Sequence, residues 1–202
     1  MSACDVMRAF GKRRVVGPLN LDAHRGERIA LVGPNGSGKS TFLRCVAGTL
    51  TPSTGSVHVG GHPAGTRQAR RLIGVSLSQE RSFYLRLSGY ANLLVFAQLR
   101  EPIGRARADV AEIVEELGIA PIAAQRVDRC STGMVQQLAL ARALLGAPAL
   151  LMLDEPTRSL DTAAIDRLWA AIDRRPEVAV LFATHRDHDI ARCDRAVDFE
   201  PS

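Results

Sequence analysis

The stretch Gly33-Pro34-Asn35-Gly36-Ser37-Gly38-Lys39-Ser40-Thr41 decides how the rest of the chain is read. It follows the apolar run Arg28-Ile29-Ala30-Leu31-Val32 and leads into Phe42-Leu43-Arg44-Cys45-Val46-Ala47. That order predicts a strand, a glycine-rich turn and a helix. The spacing G-x4-G-K-[ST] is that of a loop that cradles phosphates. Its glycines let successive backbone N–H groups point at one anion, and the helix adds the positive end of its dipole. Lys39 is placed to reach β- and γ-phosphates, and the Ser40 hydroxyl to sit on Mg²⁺. A chance glycine turn is the weaker reading, because a strand and a helix frame the motif. A bound nucleoside triphosphate is expected.

A chain of 202 residues, 46% hydrophobic, can bury one good core, so a single domain is expected. No apolar run reaches the roughly 18 residues that span a bilayer. The longest candidate, 138–153, is interrupted by Arg142 and Pro148. Residues 1–10 carry Asp5 and Arg8 and no apolar block, so no secretory leader is expected. Cys4, Cys45, Cys130 and Cys193 are scattered without a C-x-x-C pair, which speaks against zinc or disulfides and for a reducing compartment. The net charge of +5 is carried by arginine, Lys12 and Lys39 being the only lysines. Such basicity is compatible with nucleic acid or an anionic membrane surface. No aromatic-plus-basic RNA motif accompanies it, aromatics being only 4%, and no nucleic-acid partner is expected.

Residues 1–27 read as two or three short strands with turns at Gly11, Gly17-Pro18 and Arg25-Gly26. Phe10, just before the first turn, is an aromatic that could stack on a purine base. After the phosphate-loop helix come a short strand at 56–59, in which His58 faces outward, and a buried strand at 72–77. From about Arg81 to Asp128 the pattern turns helical. Leu93, Leu94, Phe96, Ala97 and Leu99 make one apolar face; Val110, Ile113, Val114 and Leu117 make another, ended by Gly118. This reads as a helical subdomain inserted into an α/β core. Ser131 or Thr132 is positioned to cap a long helix over 135–145. The apolar strand 149–153 then runs into Asp154-Glu155, placing both carboxylates at the carboxyl edge of a parallel sheet, where α/β folds bind ligands. Ser159-Leu160-Asp161 caps a further helix, the buried strand 178–183 ends at Thr184-His185, and 187–193 and 196–199 read as a short helix and a last strand. The sum is a doubly wound α/β sheet with a helical insert.

Phosphoryl transfer to water needs a phosphate cradle, a metal, an oriented water and compensation for developing charge. The loop at 33–41 supplies the first. Mg²⁺ would be held by Ser40 and, through water, by Asp154. Glu155 is the candidate to orient or deprotonate the attacking water. His185 could hydrogen-bond the γ-phosphate or that water, and Gln79 is a neutral group able to swap between metal, water and partner. The run His185-Arg186-Asp187-His188-Asp189 has the composition of a metal box, but Arg186 within it favours a histidine followed by an Asp-capped helix.

Taken together and in this order, the residues resemble the ATP-binding subunit of an ABC (ATP-binding cassette) transporter over the whole chain. Phe10 is similar to the family's adenine-stacking aromatic, 33–41 to its Walker A loop, Gln79 to the Q-loop, 150–154 with Glu155 to Walker B and the catalytic glutamate. Ser159-Leu160-Asp161 resembles the D-loop and His185 the switch histidine. The resemblance implies a P-loop NTPase with a RecA-like core sheet and an N-terminal antiparallel β subdomain. Residues 1–80 and 146–202 would form the catalytic core and 81–145 the helical subdomain. It further implies ATP and Mg²⁺ as ligands, with Mg²⁺ on Ser40, Gln79 and Asp154. A second ATPase subunit, identical or not, would present Ser131 and Gly133 to the ATP held by the first, and Asp161 would be among the nucleotide-binding residues. A transmembrane permease would dock in the groove near Gln79 and the insert, holding the chain at the cytoplasmic face of the membrane. The family's signature L-S-G-G-Q stands here as Cys130-Ser131-Thr132-Gly133-Met134. This variant, with 80–89 and Asn92-Leu93, resembles ABC-2 type exporters; the shortness of the chain is similar to the haem-exporter ATPases of cytochrome c maturation. An ATP-binding module with weak turnover is a further alternative.

Overall fold

In the computed structural model, which describes residues 1–77 and 82–200, a five-stranded parallel sheet runs in the order β6-β7-β8-β3-β9. Its strands are β3 (Arg28–Val32), β6 (Ile73–Ser76), β7 (Leu150–Asp154), β8 (Ala179–Ala183) and β9 (Arg195–Asp198). β7 and β8 are buried along their whole length, so they read as continuous apolar runs, as strands covered on both faces do. The period-2 rule divides their side chains. Leu151, Leu153, Val180 and Phe182 join one hydrophobic cluster, whereas Leu150, Met152, Ala179, Leu181 and Ala183 join the other.

The second cluster is filled by α1 (Lys39–Ala47), whose Phe42, Leu43, Cys45 and Val46 are buried. Its far side is closed by an antiparallel sheet, β2-β1-β4-β5, made of β1 (Ser2–Phe10), β2 (Arg13–Asp22), β4 (Thr54–Val59) and β5 (His62–Pro63). Val6, Val16, Leu21 and Val57 point inward from it. α2 (Arg67–Arg71) leads from this sheet into β6. Gly17-Pro18, expected as a turn, lies inside β2 instead. Pairing continues across it, Val6 with Leu19 and Arg8 with Val16, and the surplus residues are taken up as a bulge.

The first cluster belongs to the helices between β6 and β7, namely α3 (Gly89–Gln98), α4 (Ile103–Glu116), α5 (Ala120–Ala124) and α6 (Thr132–Leu144). Leu93, Ala97, Val110, Ile113, Val114, Leu117 and Leu138 form its centre, as their helical spacing required. Leu99 departs from the expected face: it is 73% exposed, because α3 stops at Gln98 and the chain turns away. α7 (Thr162–Asp173) covers the same side of the sheet, Trp169 stacking on Phe182 at 5.0 Å and 11°. Asn92 is fully buried and satisfied: it exchanges hydrogen bonds with the backbone of Tyr84 at 2.7 and 3.0 Å and donates to Ser88 at 3.0 Å. α8 (Asp187–Ile190) precedes β9. The Asp cap expected for it is not formed: Arg186 is its N-cap, without a side-chain bond, and Asp187 and Asp189 lie in its first turn. No helix among the described residues is long and apolar enough to cross a membrane.

Candidate active site at the strand ends

The loop 33–38 joins β3 to α1. Gly38, at φ 100°, is the N-cap of α1 and offers no side-chain cap, and the helix has no acidic residue in its first turn. Its first N–H groups are thus left for an external anion. A Cβ on Gly38 would stand 2.2 Å from the Val15 carbonyl oxygen, so this position admits only glycine. Lys39, 6% exposed, turns back over the loop and donates to the carbonyls of Gly33 at 2.6 Å and Pro34 at 3.0 Å. Ser37 is buried and its hydroxyl has no partner.

Asp154 ends β7, 3% exposed. β7 pairs with β8 so that Asp154 stands opposite Ala183, and the residues that follow, Glu155 and His185, meet. Glu155 Oε1 and His185 Nδ1 are 2.9 Å apart. An ionised carboxylate only accepts, so Nδ1 carries the hydrogen in that contact. Glu155 Oε2 is buried with no hydrogen-bond partner. Its backbone lies at φ 49°, unusual for a residue with a side chain, and its N–H donates to the Ala183 carbonyl at 2.8 Å.

Gly38, Lys39, Ser40, Asp154 and Glu155 open onto one cavity of about 740 Å³, whereas Gly33, Pro34, Ser37 and His185 do not line it. Asn35, Gly36 and Thr41 also reach it. Two hard-oxygen side chains, Ser40 and Asp154, therefore share one space with Lys39 and Glu155. That donor set fits Mg²⁺, which keeps most of its waters and takes one or two protein oxygens plus phosphates.

Other expected site residues lie outside this cavity. Phe10, 50% exposed, ends β1 with the Arg8 guanidinium 4.4 Å above its ring. Ser131 caps α6, accepting from the Met134 N–H at 3.3 Å, while its own N–H reaches the Met134 sulfur at 3.4 Å. Gly133 lies beneath the segment after Glu155; a Cβ there would meet the Ser159 carbonyl oxygen at 2.5 Å. Asp161 caps α7, accepting from the Ala164 N–H at 2.7 Å. Gln79 falls outside the described residues. Of the histidine–aspartate run, residues 185–188 are exposed and only Asp189 turns inward, engaged by Thr157, Trp169 and Thr184. Thr132 and Ser159, read from the sequence as parts of helix caps, also line the cavity, and Val15, Gln136 and Arg158 join them without a sequence signal.

Residues 16–158 match the family model described as ABC transporter. The chain is 37% identical over 194 residues to the uncharacterized ABC transporter ATP-binding protein YdbJ of Bacillus subtilis, covering 93% of this chain and 62% of that one. It is 36% identical over 203 residues to the Nod factor export ATP-binding protein I of Rhizobium meliloti, covering 96% of this chain and 60% of the relative. It thus spans less than two thirds of the length of either. Among solved structures, a dimeric bacterial ABC transporter cassette superposes with a TM-score of 0.89 at 21% identity, covering 98% of this chain and 94% of the other. With the phosphate loop, the strand-end carboxylates and the helical insert in one fold, the chain belongs to the ABC transporter family.

Proposed function

We propose that the chain binds and hydrolyses ATP and that this drives export through a separate transmembrane subunit. The observation that carries the reading is the shared cavity, in which Lys39 and Ser40 face Asp154 and Glu155 while Glu155 holds His185 at 2.9 Å. The N–H groups of 33–38 and Lys39 would hold the phosphates, with Phe10 against the base. Ser40 and Asp154, joined by Gln79, would hold Mg²⁺, whose chemistry is to neutralise the charge of the phosphate oxygens. Glu155 would orient the water and take its proton on its carboxylate, and His185 would fix that carboxylate through Nδ1 and turn its other nitrogen to the γ-phosphate.

Two cassettes would close over ATP, Ser131 and Gly133 of one meeting the phosphate held by the other, with Asp161 at the same interface. The dimeric form of a solved cassette with this fold supports such closure. A groove of about 410 Å³ between the core and the insert, lined by Arg70, Phe96, Leu99 and Arg100, is where a cytoplasmic helix of the permease would seat. It gives the exposed Leu99 a use, and would place the chain at the cytoplasmic face of the membrane. In this division, 1–80 and 146–202 act as the catalytic core and 81–145 as the coupling lobe. The export-named relative favours an exporter. The test is Glu155→Gln: ATP with Mg²⁺ should trap a dimer on size exclusion, and a variant that stays monomeric with ATP bound would contradict the closure.

A further inference from the structure

One buried carboxylate has no part in the chemistry above. Asp189 lies in α8, 1% exposed. Its Oδ2 accepts from Thr157 Oγ1 at 2.5 Å and from Thr184 Oγ1 at 3.4 Å, and its Oδ1 accepts from the Trp169 indole N–H at 3.3 Å. A buried charge is tolerated only with such partners, and hydrogen bonds to an ionised group are about twice as strong as neutral ones.

The places from which these donors come are informative. Thr157 follows Glu155 by two residues, and Thr184 immediately precedes His185. A second strap joins the same two segments: Thr184 Oγ1 accepts from the Arg186 N–H at 3.1 Å, and Arg186 Nη1 donates to the Thr157 carbonyl at 2.9 Å. Glu155 itself sits at φ 49°, a conformation that persists only where surrounding contacts over-determine it. The two turns that present Glu155 and His185 are therefore tied together at their bases.

The geometry points to Asp189 as a positioning residue that sets the separation of Glu155 and His185 without touching substrate. The inference rests on the hydrolytic reading given above. An acid that only anchored α8 would have no need to bind one hydroxyl from each of these two turns.

The test is Asp189→Asn in the 202-residue chain. The amide replaces one acceptor oxygen by a donor, so the threonine and indole hydrogens can no longer all be met. With ATP and Mg²⁺, kcat is expected to fall at least about tenfold while KM stays within about threefold, since the phosphate loop is untouched. Combined with Glu155→Gln, the second substitution should add no further loss. If Asp189→Asn does not fold, Thr157→Val and Thr184→Val each remove one donor and should lower kcat in smaller measure. Folded variants with wild-type kcat, a raised KM at unchanged kcat, or losses that multiply with Glu155→Gln would overturn the inference. A wild-type chain that hydrolyses no ATP would refute the hydrolytic reading instead. Positioning is then judged on the Trp169 indole N–H resonance, which is unambiguous because Trp169 is the only tryptophan. Movement of that resonance on His185→Ala supports the link between the two turns, and an unmoved one overturns it.

Discussion

Glu116→Gln tests how the helical insert is held on the core. Glu116 ends α4, and its side chain is 10% exposed. Its two oxygens take Nη1 and Nη2 of Arg175 at 2.8 and 2.7 Å, and Oε1 also takes Arg174 at 3.0 Å. Arg174 is 60% exposed, so solvent screening leaves that bond little net worth. The bidentate, half-buried Arg175 pair is the substantial part, about 2 kcal/mol for hydrogen bonds to charged groups. For a chain of this size such a loss lowers Tm by about 4–8 °C. The Arg175 hydrogen bonds hold the Glu116 carboxyl below the ordinary carboxylate range, against burial, which pushes it up, with Arg174 assisting. A depressed folded pKa contributes stability that is fully present above the unfolded value of about 4.3 and is lost as pH falls through the folded pKa. Urea denaturation of both proteins should therefore show the full gap at pH 7 and a closing gap as pH falls below about 4. A gap that is absent at pH 7, or that stays constant into acid, would refute the argument.

Three further outcomes follow from the geometry. Burial pushes the Cys45 and Cys193 thiols up to about 11, so at pH 7.5 a maleimide should label exposed Cys4 first and leave these two until the chain unfolds, as mass spectrometry would read. Gly133→Ala drives a methyl group to 2.5 Å from the Ser159 carbonyl, and chemical denaturation should show a loss of about 1–3 kcal/mol. Lys39→Ala removes the bonds at 2.6 and 3.0 Å that pin the loop together with the proposed phosphate contact, and calorimetry should show ATP affinity down by at least about tenfold.

Much of the architecture was legible because its signals are local. The apolar runs of β7 and β8 announce strands buried on both faces, and the helical periodicity of Val110, Ile113 and Val114 announces α4. Gly17-Pro18 was misread because turn residues also serve a bulge, and only the pairing of Val6 with Leu19 distinguishes the two. Leu99 matched the apolar pattern one residue beyond the end of its helix, where periodicity no longer fixes direction. In the site, the loop and the two carboxylates are contiguous in sequence and could be read. The contact of Glu155 with His185, the entry of Arg158 and Gln136 into the cavity, and the convergence on Asp189 depend on strand order and helix packing, which single-residue spacing does not encode.

The most direct test is single-turnover ATP hydrolysis with Mg²⁺ by the wild-type chain and by Glu155→Gln at saturating ATP. If Glu155 takes the proton of the attacking water, the variant should bind ATP as tightly as wild type and cleave it slower by about 10²–10⁴-fold. Cleavage at the wild-type rate would contradict that account of the site.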